Sequence, residues 1–446
     1  MTKRAKRNEP MPAVGPAARA TRDLSGGLAA VTVSAALLGI LLAVDPRAES
    51  SFDSIKTTVA HAGAVLATVL LLVGGAGPAR SLRSLPRPVP ALFALAAAGS
   101  LLAVLSAAFA PRPAAAFEAL RSASLLALLV PVGASRALEG GRVVLPVGAF
   151  LAGLSVNAAA SLLQAAGALT LFDVSRISGR SNTGAFVGNE GYLSLVAALA
   201  IPVAAGAVAA ARGRARLGAG AALALALAAV LANRSLTGLA AMAAGLLVFL
   251  WAGLSGRTRR ITIAGCFILA ATLPFVPSVR LRLAEVVVQV RTGNADALIS
   301  YRGGPWAAAA EMIRERPVLG YGPGAFESRF VPSRLAAERR LGRPLTTLTE
   351  AGSYAEAHSD VLQLPAEIGL PAAGAFAASL ALLLAALLRR ARRAEGVEAA
   401  VLLAVLATGL VAALTWFPLQ RAVTAAPLLL AVGRTLRLCS RERTEP

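Results

Sequence analysis

Apolar runs long enough to cross a bilayer recur along almost the whole chain, and short arginine-rich stretches separate them. A hydrocarbon layer about 30 Å thick takes about 17 to 25 residues of α-helix. Backbone groups cannot stay unbonded in that layer, so each such run reads as a helix. Windows of suitable length fall at 27–44, 59–77, 89–110, 115–133, 143–168, 191–210, 217–232, 235–253, 261–277, 368–388, 397–415 and 422–436, twelve in all. Composition agrees, since 57% of the 446 residues are apolar, only 15% are charged and the mean hydropathy is +0.68. That is far too apolar for a soluble domain of this size.

The formal charge of +21 could suggest a nucleic-acid partner. The basic residues, however, sit in short clusters between apolar runs rather than along one face, a pattern that reports membrane orientation. With the N-terminus inside, the inner segments hold 25 Lys and Arg, among them Arg212, Arg214, Arg216, Arg257, Arg259 and Arg260. The short outer loops hold only Arg47, Lys56, Arg112, Arg176, Arg180, Arg234 and Arg421. Both termini are therefore expected in the cytoplasm, and residues 278–366 outside it. The 11 arginines and 9 carboxylates of that segment nearly cancel.

The expected fold is all-α, a polytopic bundle of about twelve transmembrane helices with one large extracytoplasmic loop domain. Its parts are helices 1–9 over 1–277, the loop domain over 278–366, and helices 10–12 with a basic tail over 367–446. The basic start, Met1 to Arg7, leads into the first apolar run without a convincing cleavage site, which reads as an uncleaved span. Cys266 and Cys439 lie at different depths and form no disulfide framework; both read as packing or surface residues.

Several polar residues stand out against this background. Glu118 and Arg121, three apart in the fourth span, fall on one helical face as an ion pair or as the lining of a polar cavity. The outer loop from Arg176 to Gly191 combines Arg176 and Arg180 with glycine, serine and asparagine, so guanidinium and backbone donors can converge there on an anion. Arg234, in the tight turn 233–238, is either a snorkelling anchor or a functional cation. In the long loop, Tyr301-Arg302-Gly303-Gly304-Pro305-Trp306 leads into a helix over Ala307 to Arg316, ended by Pro317. The glycines of Gly320-Tyr321-Gly322-Pro323-Gly324 read as tight chain reversal; no strand precedes them and no Lys-Ser/Thr follows, so no nucleotide fold is implied. Ser353 and Glu356 have capping-box spacing, which predicts a helix from Tyr354 with His358 in its second turn. The positive end of such a helix would favour the neutral imidazole that a base requires. A structural role for a lone histidine also stays open. His61, near the outer end of the second span, reads as an interfacial residue.

The order of these features resembles the O-antigen ligase and polymerase superfamily. Many spans are followed by Arg302 and Trp306, then Pro317-Val318-Leu319-Gly320-Tyr321-Gly322, then Ala357-His358-Ser359-Asp360 and Glu367-Ile368-Gly369-Leu370-Pro371. The resemblance covers residues 180–380, and the first five spans by topology alone. It implies that His358 is a base or acceptor-orienting group. Arg234, Arg302 and Arg180, or Arg176 in its place, would hold the diphosphate of an undecaprenyl-linked glycan. Asn189, Tyr301, Trp306, Asp360 and Glu367 would support them. The implied setting is the bacterial cytoplasmic (inner) membrane, with the active site extracytoplasmic and a glycan or lipid acceptor. The superfamily usually has asparagine where Ser359 stands, which removes an amide contact there.

Elementary chemistry fits that implication. A diphosphate leaving group needs cations at the lipid surface, and the guanidinium fork matches phosphate oxygens. Displacing it from a sugar C1 needs a base within ~3 Å of the acceptor hydroxyl. Arginines that stabilise the leaving charge make a metal unnecessary, and the sequence has no Cys/His cluster or Asp-x-Asp run to hold one. No cofactor and no nucleic acid is expected. The single long outer loop and the short 171–190 loop favour a ligase acting on a lipid A core type of acceptor over a polymerase using the same donor. A flippase or transporter is the competing class; twelve spans suit it, but no internal repeat or matched pair of broken spans supports it.

Overall fold

The computed structural model describes the chain except residues 1–15, 49, 76–88, 172–182, 234, 255, 273–274, 276, 293–300, 346–353, 393–395 and 441–446. The described residues form helices and connecting turns with no strand, so the all-α expectation holds. The first group comprises α1 (Pro16–Leu42), α2 (Asp53–Val73), α3 (Val89–Ala108), α4 (Pro113–Ala127), α5 (Leu129–Gly133), α6 (Val144–Ala165), α7 (Glu190–Ala210), α8 (Gly213–Ala232) and α9 (Leu236–Gly253). After α10 (Gly256–Thr272) come four shorter or broken elements: α11 (Pro277–Arg291), α12 (Gly303–Glu315), α13 (Phe326–Leu341) and the kinked α14 (Asp360–Arg392). The chain closes with α15 (Val397–Thr415) and α16 (Ala422–Ser440).

Eleven of the described helical segments are long and apolar enough to cross a membrane. The expected span at 261–277 corresponds to α10, which at 17 residues falls just short of that group. Connectivity nonetheless asks for a crossing there. Helix α9 starts where Thr237 meets Thr415 and ends at Gly253, whereas Arg302 lies back beside Thr415. The chain must return between Gly253 and Arg302. A 17-residue helix spans about 25 Å at 1.5 Å per residue.

Helices α7, α15 and α16 are the most enclosed of the spans. Small residues let them approach their neighbours: a Cβ at Gly245 of α9 would stand 2.1 Å from Thr408 Oγ1 of α15. Close backbone approach increases the van der Waals packing that helps hold helices together in lipid. The Glu118–Arg121 pair forms at 2.8 Å on α4, and His61 Nε2 lies 3.1 Å from the Ser122 carbonyl oxygen, joining α2 to α4.

The polar segment builds a small core of its own. Ala308, Ala309 and Met312 of α12 pack on Phe326 and Phe330 of α13, with Ala357 and Ala366 beneath. This layer is locked to the bundle at a break in α14. Gly369 adopts φ +82°, ψ 159°, outside helical geometry, and Pro371 has no N–H to bond the Glu367 carbonyl. The freed groups find partners in the glycine turn: Tyr321 N–H donates to the Ala366 oxygen at 3.1 Å, Gly322 N–H to the Glu367 oxygen at 2.8 Å, and Leu370 N–H to the Pro317 oxygen at 2.8 Å. A break within a span is tolerated where its backbone is satisfied this way. Gly320 and Gly369 permit the contact; a Cβ at Gly320 would stand 2.3 Å from the Glu367 oxygen.

One local expectation is corrected. No helix starts at Tyr354: residues 354–359 are bends and irregular chain, and α14 begins at Asp360, ahead of the span expected from 368. The residues there explain the shift. The Ser359 carbonyl accepts from Leu362 and Gln363 N–H, while the Gln363 side chain accepts from Ala357 N–H at 2.9 Å, so helical bonding starts after His358.

Candidate functional site

Five helices, α7, α9, α12, α14 and α16, begin around the end of α15, where Trp416 and Phe417 follow its last residue, Thr415. Their starts are built by local chemistry. Asn189 Oδ1 accepts from Gly191 and Tyr192 N–H and so opens α7, and Ser235 Oγ accepts from Gly238 N–H to open α9. Helix N-termini carry partial positive charge, so their convergence favours an anion at this end.

Trp416 and Phe417 are the hub. Their rings stack at 5.0 Å with an interplanar angle of 12°. His358 lies edge-on to both, at 5.3 Å from Trp416 and 4.9 Å from Phe417, and 5.6 Å from Tyr354. Its backbone is in the left-handed region at φ +53°, a conformation uncommon for a residue with a side chain and found at functional sites. Neighbouring bonds hold it there. Trp306 Nε1–H donates to the His358 oxygen at 3.4 Å, Asp360 N–H donates to the Trp416 oxygen at 3.1 Å, and Asp360 Oδ2 accepts from Leu419 N–H at 2.9 Å. Ser359 is buried, with its hydroxyl toward the Ala413 oxygen at 3.4 Å, so it ties this segment to α15.

Arg302, the residue before α12, reaches the same hub. Its guanidinium lies 4.9 Å from the centre of the Trp416 ring, and Nη1 donates to the Thr415 oxygen at 2.6 Å and toward Thr237 Oγ1 at 3.4 Å. The structure thus brings Arg302, Trp306, His358 and Asp360 together. Tyr301, at φ +58°, sets the turn that delivers Arg302. Asn189 serves as the α7 cap. Glu367 is buried, accepting from Gly324 N–H at 2.9 Å, Phe326 N–H at 3.2 Å and Gln363 Nε2 at 3.1 Å, which positions the start of α13. Arg176, Arg180 and Arg234 lie outside the described residues.

A second cluster at this end was not singled out from the sequence. Arg421, just before α16, donates through Nη1 to Asp53 Oδ2 of α2 at 2.7 Å and through Nη2 to Glu356. Its guanidinium lies 5.3 Å from the Tyr192 ring and 5.4 Å from Phe417. Burial pushes the Glu356 carboxyl above its ordinary range, against the pull of Arg421. The signal available in the sequence was slight: an aromatic pair directly after an apolar run, followed by a single arginine in a short loop.

Residues 221–377 match the family model described as O-Antigen ligase. The resemblance read from the sequence therefore holds over that stretch, which includes Arg302, Trp306, His358, Asp360 and Glu367. The match supports a function of the O-antigen ligase or polymerase type, glycosyltransferase-like and acting on glycan and lipid substrates in a membrane. No curated protein matches the chain.

Proposed function

We propose that the protein transfers a glycan from an undecaprenyl-diphosphate donor to a lipid-anchored acceptor of the lipid A core type. The reaction takes place at the outer face of the bacterial cytoplasmic membrane, with both termini inside and residues 278–366 outside. The observation that carries this reading is the pairing of a base and a cation on one aromatic platform: His358 edge-on to Trp416 and Phe417, with Arg302 against Trp416.

In the proposed step, the acceptor hydroxyl oxygen attacks sugar C1 from the face opposite the diphosphate. The bond from C1 to the diphosphate oxygen breaks, its electron pair leaves with undecaprenyl diphosphate, and the configuration at C1 inverts. His358 takes the acceptor proton. Arg302, together with Arg234 and Arg180 or Arg176, holds the diphosphate, and the positive ends of the converging helices add to the same field. Because arginines supply the charge that a metal would otherwise provide, the displacement proceeds without one. The aromatic cage lowers the local dielectric around His358, which strengthens its interaction with the attacking hydroxyl.

Loss of the gene tests the choice of acceptor. The expected outcome is full-length glycan accumulating on its polyprenyl carrier with bare acceptor at the surface. Acceptor capped with a single repeat unit would instead make the protein the polymerase of the same donor chemistry.

A further inference from the structure

The proposed displacement requires two places on opposite sides of the anomeric carbon, one for the leaving diphosphate and one for the incoming hydroxyl. Two guanidinium groups flank the stacked rings beside His358. Arg302 lies against Trp416, at 4.9 Å, and Arg421 lies against Phe417, at 5.4 Å. Arg302 donates to the Thr415 carbonyl and toward the Thr237 hydroxyl. Arg421 bridges two carboxylates, Asp53 and Glu356, so its guanidinium is already engaged. A diphosphate would have to displace those carboxylates to reach it. A sugar ring would not, since its hydroxyls donate to carboxylate oxygens and accept from guanidinium N–H groups.

The cluster is also open enough to be reached. The side chains of Arg421, Asp53 and Glu356 are 20%, 33% and 17% exposed, neither sealed in the core nor free in solvent. Tyr192, half-buried and edge to face on the buried Phe417 with ring centres 5.8 Å apart, offers apolar surface for the C–H face of a ring. Phe417 touches both His358 and Arg421, so the cluster and the base share one buried ring.

We propose that Asp53, Glu356 and Arg421 form the subsite for the acceptor sugar, holding the terminal ring of a lipid-anchored glycan so that its hydroxyl faces His358. This assignment rests on the glycosyl-transfer reading above and divides the site into a donor side at Arg302 and an acceptor side at Arg421. Asp53 and Tyr192 lie outside the stretch that matches the O-Antigen ligase family model, as do Phe417 and Arg421.

The test is a binding measurement on the purified full chain in lipid nanodiscs with two probes, lipid A–core oligosaccharide and undecaprenyl diphosphate. Asp53→Asn and Glu356→Gln keep side-chain shape. Each is expected to weaken lipid A–core binding tenfold or more while leaving undecaprenyl diphosphate within twofold, which also shows that the variants are folded. Parallel loss of both probes, unchanged affinity for both, or no lipid A–core binding by the unaltered protein would overturn the assignment. Failure of the glycosyl-transfer reading would appear separately, as undecaprenyl diphosphate binding that is indifferent to Arg302→Gln.

Discussion

The indole N–H of Trp306 points at the backbone oxygen of His358, 3.4 Å away. It therefore holds the backbone of the proposed base and leaves the imidazole to the aromatic rings. Trp306→Phe keeps a ring and removes the donor. A long hydrogen bond of this kind contributes about 0.5 to 1.5 kcal/mol, so turnover should fall about two- to tenfold while donor KM stays within twofold. Steady-state transfer kinetics check this, and a rise in donor KM with unchanged turnover would assign Trp306 to the donor instead.

The lock between the polar layer and the bundle makes a sharp prediction at Gly369. A Cβ there would stand 2.0 Å from the Val318 oxygen, at a φ of +82°. Both the clash and the backbone strain oppose substitution, the strain alone costing about 1 to 3 kcal/mol. Gly369→Ala should lower the unfolding temperature and the yield of folded protein. Gly374→Ala, five residues on in the same helix where a Cβ meets nothing within 4 Å, should leave both unchanged. Thermal unfolding in detergent compares the two.

Much of this was legible in the sequence, for reasons that differ by element. Apolar runs and arginine clusters fix spans because burial in lipid and charge asymmetry act on whole segments. Arg302, Trp306 and His358 stood out because each lies in a short polar motif. The start of α14 was misread because Ser353 and Glu356 have capping-box spacing, yet Glu356 turns to Arg421 and Gln363 caps Ala357. Asp53, Tyr192 and Arg421 were missed because they are scattered over three elements and meet only in the folded bundle.

Acid should act on the polar layer through Glu311. Its carboxylate is buried between Arg314, at 2.5 Å, and Arg340, at 3.1 Å. The hydrogen bond from Arg314 holds its carboxyl below the ordinary value of 4.5, against the effect of burial. A depressed carboxyl stabilises the fold above its unfolded value, and that contribution is lost as pH falls through the depressed value. Unfolding temperature should therefore drop as pH falls below about 4.5. Glu311→Gln should unfold at lower temperature near neutrality and show a shallower acid dependence.

Orientation can be read by cysteine labelling after Cys266 and Cys439 are replaced. Leu335 is exposed on α13, and Arg214 is exposed at the start of α8. An impermeant reagent should label Leu335→Cys in intact cells and Arg214→Cys only after permeabilisation. The reverse order would invert the proposed topology.

The central claim is that His358 removes the acceptor proton while Arg302 holds the donor. The most direct measurement is glycan transfer by the His358→Ala protein alongside its affinity for undecaprenyl diphosphate. Loss of a general base lowers turnover by about 10² to 10⁴, so transfer should fall by that much with carrier affinity retained. Transfer by His358→Ala at close to the unaltered rate would contradict the claim.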